Sequence, residues 1–169
     1  MQLISEVLEW EVSNNDKALE STGGRPARVT VFHGHKPPNI TVRAYMERIR
    51  TFGGCSACCF VLGLRYVEQL QKTDGAYTLN SFNMHRLVLT GIMVAAKFVD
   101  DFYFSNNYWA KVGGIPNDEL NGLEIEMLFL LNFTLHAKRN EYDEYVAILK
   151  RRHERVADMQ VQNKFLCKQ

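Results

Sequence analysis

Two clusters in this chain bring together side chains that do chemistry. In Ala95-Ala96-Lys97-Phe98-Val99-Asp100-Asp101 a lysine precedes adjacent carboxylates, a combination compatible with a metal site, half of an active site, a helix end or a surface for a partner. In Cys55-Ser56-Ala57-Cys58-Cys59 the first four residues have the spacing of half a zinc site, with His33 and His35 as conceivable further ligands. Helical geometry weakens both readings. Neighbours in a helix project about 100° apart, so Asp100 and Asp101 cannot easily share one metal or divide acid and base roles. Cys55, Cys58, Cys59, Leu62, Tyr66 and Leu70 recur at helical spacing, and cysteine prefers the interior, so these read as core cysteines. No Gly-rich phosphate loop precedes a helix, and neither an HExxH pair nor a nucleophile elbow occurs. The chain is therefore expected to be no enzyme and to hold no metal.

Two ionisable residues stand out by position instead. In LNGLEIEMLFLL, residues 120–131, Glu124 falls inside the helical arc of Leu120, Leu123, Met127, Leu128 and Leu131, whereas Glu126 falls opposite. A carboxylate on an apolar stripe costs stability unless it is paired or hydrogen-bonded. Lys97 has the same oddity within VAAKFV. Two arrangements relieve it. Lys97 pairs with Asp101 four residues on in one helix, or Lys97 and Glu124 meet between two helices and present donors and acceptors to a partner. Spacing alone does not choose.

The elements that position these residues read as helices. Residues 3–12 form a short amphipathic helix, followed by a polar linker running through STGGRPAR. Pro37 and Pro38 push the chain extended and punctuate the start of the main domain. Val42, Tyr45, Met46 and Ile49 share a stripe of the first bundle helix, and residues 55–72 form the second, ended by the Asp74-Gly75 turn. A third runs from near Asn83 through Arg86 to about Asp101; its middle is apolar all round, as a helix surrounded by neighbours is. The aromatic stretch after it, closed by Gly113-Gly114, reads as a packed turn. A fourth helix starts at Pro116-Asn117, with Asn117 as cap and Asp118 and Glu119 at the positive end. A fifth starts near Asn140-Glu141 with Tyr142, Tyr145, Val146 and Leu149 inward, and the tail beyond it is a polar helix that frays. Val29-Thr30-Val31-Phe32 is the only β-branched run of note.

Composition agrees with one all-α domain. The chain has 169 residues, 46% of them hydrophobic, enough to bury a real core. Net charge is +1, so no strong field points to DNA or an anionic membrane. The longest apolar run, Leu87 to Val99, is too short to span a bilayer. The N-terminus has acidic residues and no secretory layout. With no disulfide framework in CSACC and Cys167, the expected location is cytoplasmic and/or nuclear.

In this order, HRLVLTGIMVAAKFVDD (85–101), YWAKVGGI (108–115) and ELNGLEIEMLFLLNFTL (119–135) resemble the cyclin box, specifically the phosphate-starvation-regulator (P/U) type of fungi, plants and protozoa. PNITVRAYMERI (38–49) resembles that type's first helix. The resemblance implies an all-α fold, a single cyclin-box five-helix bundle over residues 30–148. Residues 1–29 would form an N-terminal helix and linker, and 149–169 a partly helical C-terminal tail. It also implies a regulatory subunit that needs no cofactor and that binds and activates a cyclin-dependent protein kinase through the surface of the third to fifth helices. By motif match, Lys97 in AAKF and Glu124 in LNGLE would bond backbone groups beside the kinase's mobile C-helix. Arg48 in YMERI matches an arginine that pairs with an acidic residue ending the second helix. Here YVEQL supplies Glu68 where the family often reads Tyr-Leu-Asp-Arg, and Gln69 replaces a cation. Leu87 matches the family's third-helix leucine. The residues after Leu135 are too few for a second box, which suits the single-box type. Cyclin boxes also occur in general transcription factors, but near-neutral charge and a single box argue against nucleic acid as a partner.

Overall fold

Apolar residues recur at helical spacing along most of the chain, and the regular structure in the computed structural model of the protein is accordingly helical. It describes residues 1–21 and 23–166, the last four as backbone. Among the described residues seven α-helices follow in order: α1 (Gln2–Ser21), α2 (Val42–Phe52), α3 (Ala57–Thr73), α4 (Met84–Val99), α5 (Asn106–Gly113), α6 (Asn117–Leu130) and α7 (Arg139–Leu166). A 3-10 turn at Gly75–Tyr77 precedes α4, and the described residues contain no strand. In the β-branched run, Phe32 is buried in the core while Val29 and Val31 are exposed.

α4 is the centre. Every residue from Met84 to Ala96 except Arg86 is buried, and the helix packs against α2, α3, α5 and α6. Its closest neighbour is α3, because two glycines meet at the crossing. A Cβ on Gly63 would lie 2.7 Å from the Ile92 amide nitrogen, and one on Gly91 would lie 2.7 Å from the Gly63 carbonyl oxygen. Here the two backbones touch, and no larger residue fits without separating the helices.

Three boundaries differ from expectation. α1 is helical to Ser21, through the stretch expected to be linker. Its polar second half is held by the loop before α4: Asn15 Nδ2 donates to the Leu79 carbonyl at 2.7 Å, and Asp16 Oδ1 accepts from the Ser81 amide at 2.9 Å. The aromatic segment expected to be a turn contains α5. Ser105 caps it by accepting from the Tyr108 amide, Gly114 ends it in the left-handed conformation (φ 70°), and Trp109 is fully buried. At α6 the cap position is Pro116, with Asn117 as the first helical residue.

The five-helix bundle is therefore α2 to α6. α7, counted by periodicity as the fifth member, flanks it and packs on α1 and α3. α7 continues unbroken past residue 149, burying Tyr145, Leu149 and Val156. The end of the expected tail, with Cys167, lies outside the described residues. Among the described residues, no helix is long and apolar enough to cross a membrane.

Candidate partner-docking site

Lys97 lies in the last turn of α4 and Glu124 midway along α6, two helices in contact. Lys97 Nζ donates to both Glu124 oxygens, at 2.7 Å to Oε1 and 2.9 Å to Oε2. Of the two arrangements open to Lys97, this is the interhelical one. The pair is part-buried, with side chains 25% and 16% exposed, so the charges are desolvated on one side and reachable from the other. Asn106, the first residue of α5, completes the group: its Nδ2 donates to Glu124 Oε2 and to Asn121 Oδ1, each at 2.7 Å. Periodicity pointed to Glu124 and Lys97, but it offered nothing for Asn106, an ordinary polar residue in a stretch read as a turn.

Around the pair the surface is apolar. Phe98, Val99, Phe102, Tyr103 and Phe104 are exposed on the end of α4 and the loop after it, with Phe102 at 90%. Ile125 and Phe129 are exposed one turn apart on α6, and Phe129 meets exposed Phe133 edge-on at 5.3 Å. α6 thus buries Leu120, Leu123 and Met127 on one side and exposes large apolar residues on the other. Exposed aromatics in this number around a polar pair are the composition of an interaction surface. The expectation that the aromatic stretch packs inward holds for Trp109 and fails for residues 102–104.

The bridge expected between Arg48 and Glu68 does not form. Arg48 on α2 donates through Nε to the Val112 carbonyl at 2.6 Å and through Nη2 to the Lys111 carbonyl at 2.9 Å. Its cation therefore satisfies carbonyls at the C-terminal end of α5, where positive charge is favoured. Glu68 points towards α7 and pairs with Lys72 at 2.9 Å and Arg152 at 3.0 Å. Burial opposes ionisation there, yet the Lys72 hydrogen bond and the Arg152 charge hold the carboxyl below its usual range. Asp101 is also no bridge. α4 stops at Val99, Asp101 is exposed beyond it, and the Lys97 ammonium is engaged by Glu124.

Asp100, by contrast, has a defined role. Its Oδ2 accepts from the Ser56 amide at 2.9 Å and from Cys59 Sγ at 3.3 Å, tying the end of α4 to the start of α3. Although burial opposes it, the Ser56 bonds hold this carboxyl below its usual range. The sulfurs of Cys58 and Cys59 and an Asp100 oxygen lie within 4.8 Å of one another, a spacing a metal could use. In this structure the group is joined by hydrogen bonds, with Cys59 Sγ donating to Asp100, and the hydrogen bond to Cys55 and then burial push the Cys59 thiol strongly up. Cys59 is fully buried, whereas Cys55 and Cys58 are only half-buried. His33 and His35 take no part in the cluster, and His33 Nδ1 accepts from the Thr30 amide at 3.0 Å.

With that geometry, comparison with known proteins is decisive. The cyclin family model matches residues 1–135, which takes in α1 to α6 and stops before α7. The chain belongs to the cyclin family. Among its relatives, Cyclin-U4-1 of Arabidopsis thaliana is 41% identical over 148 residues, covering 88% of this chain and 73% of that one. Cyclin-U1-1 of Arabidopsis thaliana is 37% identical over 145 residues (86% and 69%), and Cyclin-P3-1 of Oryza sativa subsp. japonica 38% over 149 residues (88% and 62%). The P/U type read from the sequence is thus the type of these plant relatives. Family membership supports a regulatory role for this chain.

Proposed function

We propose that this cyclin binds and activates a cyclin-dependent protein kinase through the surface built by the end of α4, the loop after it and α6. The observation that carries the reading is the Lys97–Glu124 pair set among exposed aromatics. An ammonium has three donors, and Glu124 takes two of them; the carboxylate, which accepts from Lys97 and Asn106, keeps acceptor capacity. Each group is held in place by the other and still has a hydrogen-bonding position for partner backbone. The aromatics supply the water-excluding contact around these bonds. Docking there favours the kinase conformation in which a C-helix glutamate pairs with the ATP-binding lysine. The kinase brings ATP and magnesium, so the cyclin's share is positioning alone. On this reading the protein acts in the cytoplasm and/or nucleus, alongside the kinase.

The test is binding and activation of a kinase co-purified from native cells. Lys97→Ala and Glu124→Ala are each expected to remain helical by circular dichroism and to lose about 2–5 kcal/mol of binding, the usual cost of truncating one partner of a desolvated polar contact. Unchanged affinity in folded variants would remove these residues from the interface. Binding without a rise in kinase activity would make the protein an adaptor.

A further inference from the structure

At the other end of α4 lies a cavity of about 690 Å³ that the docking surface does not use. It is walled by the loop carrying His35 and Lys36, by Tyr45 and Arg48 of α2, by His85 and Arg86 in the first turn of α4, and by the Gly113-Gly114 turn. Twelve residues separate His85 from Lys97, about 18 Å along the helix axis at 1.5 Å per residue. The inference is therefore independent of the kinase reading.

Three features of this cavity favour an anion. First, Lys36, Arg48 and Arg86 line it and no carboxylate does, in a chain whose net charge is only +1. Arg86 is anchored by Glu119 through Nε at 2.6 Å, and its Nη1 lies against the bare backbone of Gly34, where a Cβ would come within 2.8 Å. Arg48 bonds to the carbonyls ending α5 and not to a carboxylate. Second, the cavity opens at the N-terminal end of a sixteen-residue helix, where the backbone dipole favours negative charge. Third, His85 is only 8% exposed; one ring nitrogen faces the Ile40 backbone and neither meets a side-chain partner. A buried imidazole with no side-chain partner, in the wall of a cationic cavity, leaves ring hydrogen-bonding capacity for a ligand.

We propose that this cavity binds a phosphate group carried on a phosphorylated serine or threonine of a protein partner. Two arginines beside a lysine suit a doubly charged, three-oxygen group. The space far exceeds one phosphate, and the remaining wall, with Pro37, Pro38, Ile40 and Ile115, suits flanking peptide residues. A nucleotide base finds no stacking face: the Tyr45 ring packs edge-on against His85 with centroids 4.7 Å apart, and its hydroxyl donates to the Gly113 carbonyl at 3.3 Å.

The experiment is a titration of the isotope-labelled full chain at constant ionic strength, followed by NMR. The probes are a degenerate peptide pool with a fixed central phosphoserine, the same pool with serine, and inorganic phosphate. The phosphoserine pool is expected to shift the His85 ring and the Arg48 and Arg86 Nε–H signals with saturation. The serine pool and inorganic phosphate should bind at least about tenfold more weakly. Lys36→Glu, on an exposed loop, and Arg86→Gln should each weaken the phosphoserine response several-fold. No saturable shift, or an equal response to the serine pool, overturns the proposal. Inorganic phosphate binding as tightly as the peptide pool overturns it in favour of a free-anion site. Undiminished binding by both variants places the ligand elsewhere and overturns it too.

Discussion

At Lys97 the ammonium has one carboxylate four residues ahead and another 27 residues away, and it takes the distant one. The intrahelical pair fails because α4 ends at Val99 and the chain turns extended at Asp100, so Asp101 is no longer one turn above Lys97. Glu124 was legible because a carboxylate inside an apolar arc demands a partner. Arg48 shows the converse. Its motif suggested an acidic partner, and the carbonyls ending α5 took it instead, since that helix is invisible to periodicity. Two histidines carry a prediction at this scale. Burial holds both His33 and His85 below the ordinary histidine pKa. Unfolded histidines bind protons from about pH 6.5 downward while these two resist, so stability should fall as pH drops through that value. Thermal unfolding at about pH 7.5 and 5.5 checks it, and His85→Gln should flatten the difference. A slope unaltered in that variant would remove His85 from the account.

Among the elements, the α3–α4 crossing and the exposed face of α6 give opposite expectations for the same change. Gly63→Ala puts a methyl against the α4 backbone, where no flexible side chain can yield. It should cost about 1–3 kcal/mol, the usual penalty of overpacking. At Gly122 on α6 a Cβ meets nothing within 4 Å, and Gly122→Ala should stabilise by about 0.4–1 kcal/mol through the unfolded chain. Urea denaturation of both variants measures the contrast. The five box helices were mostly legible because α2, α3, α4 and α6 each carry an apolar stripe long enough to show its period. α5 has eight residues, too few to show one, and tertiary contacts define it: Trp109 in the core, Arg48 on its last carbonyls.

For the whole molecule, α1 and α7 cover the bundle, α1 on α2 and α7 on α3. They pack on each other, His153 Nε2 meets Glu6 Oε2 at 2.8 Å across them, and Arg152 reaches Glu68 on α3. This packing makes α7 part of the folding unit. Leu149→Ala should therefore cost about 2–5 kcal/mol, the range for a buried leucine, and the loss should appear in a single cooperative transition. A separate, earlier melting step would show α7 to be an independent appendage.

By itself, the sequence determined the all-α class, the central place of α4 and the identity of the two charges that needed company. These follow from local periodicity and from the cost of a charge on an apolar face, which any helix imposes wherever it packs. Only the tertiary structure decided that Lys97 meets Glu124, that Arg48 serves α5, that residues 102–104 face outward, and that Arg48, His85 and Arg86 line one cavity. Those outcomes depend on which helix ends become neighbours, a relation between residues far apart in the chain that no single helix encodes.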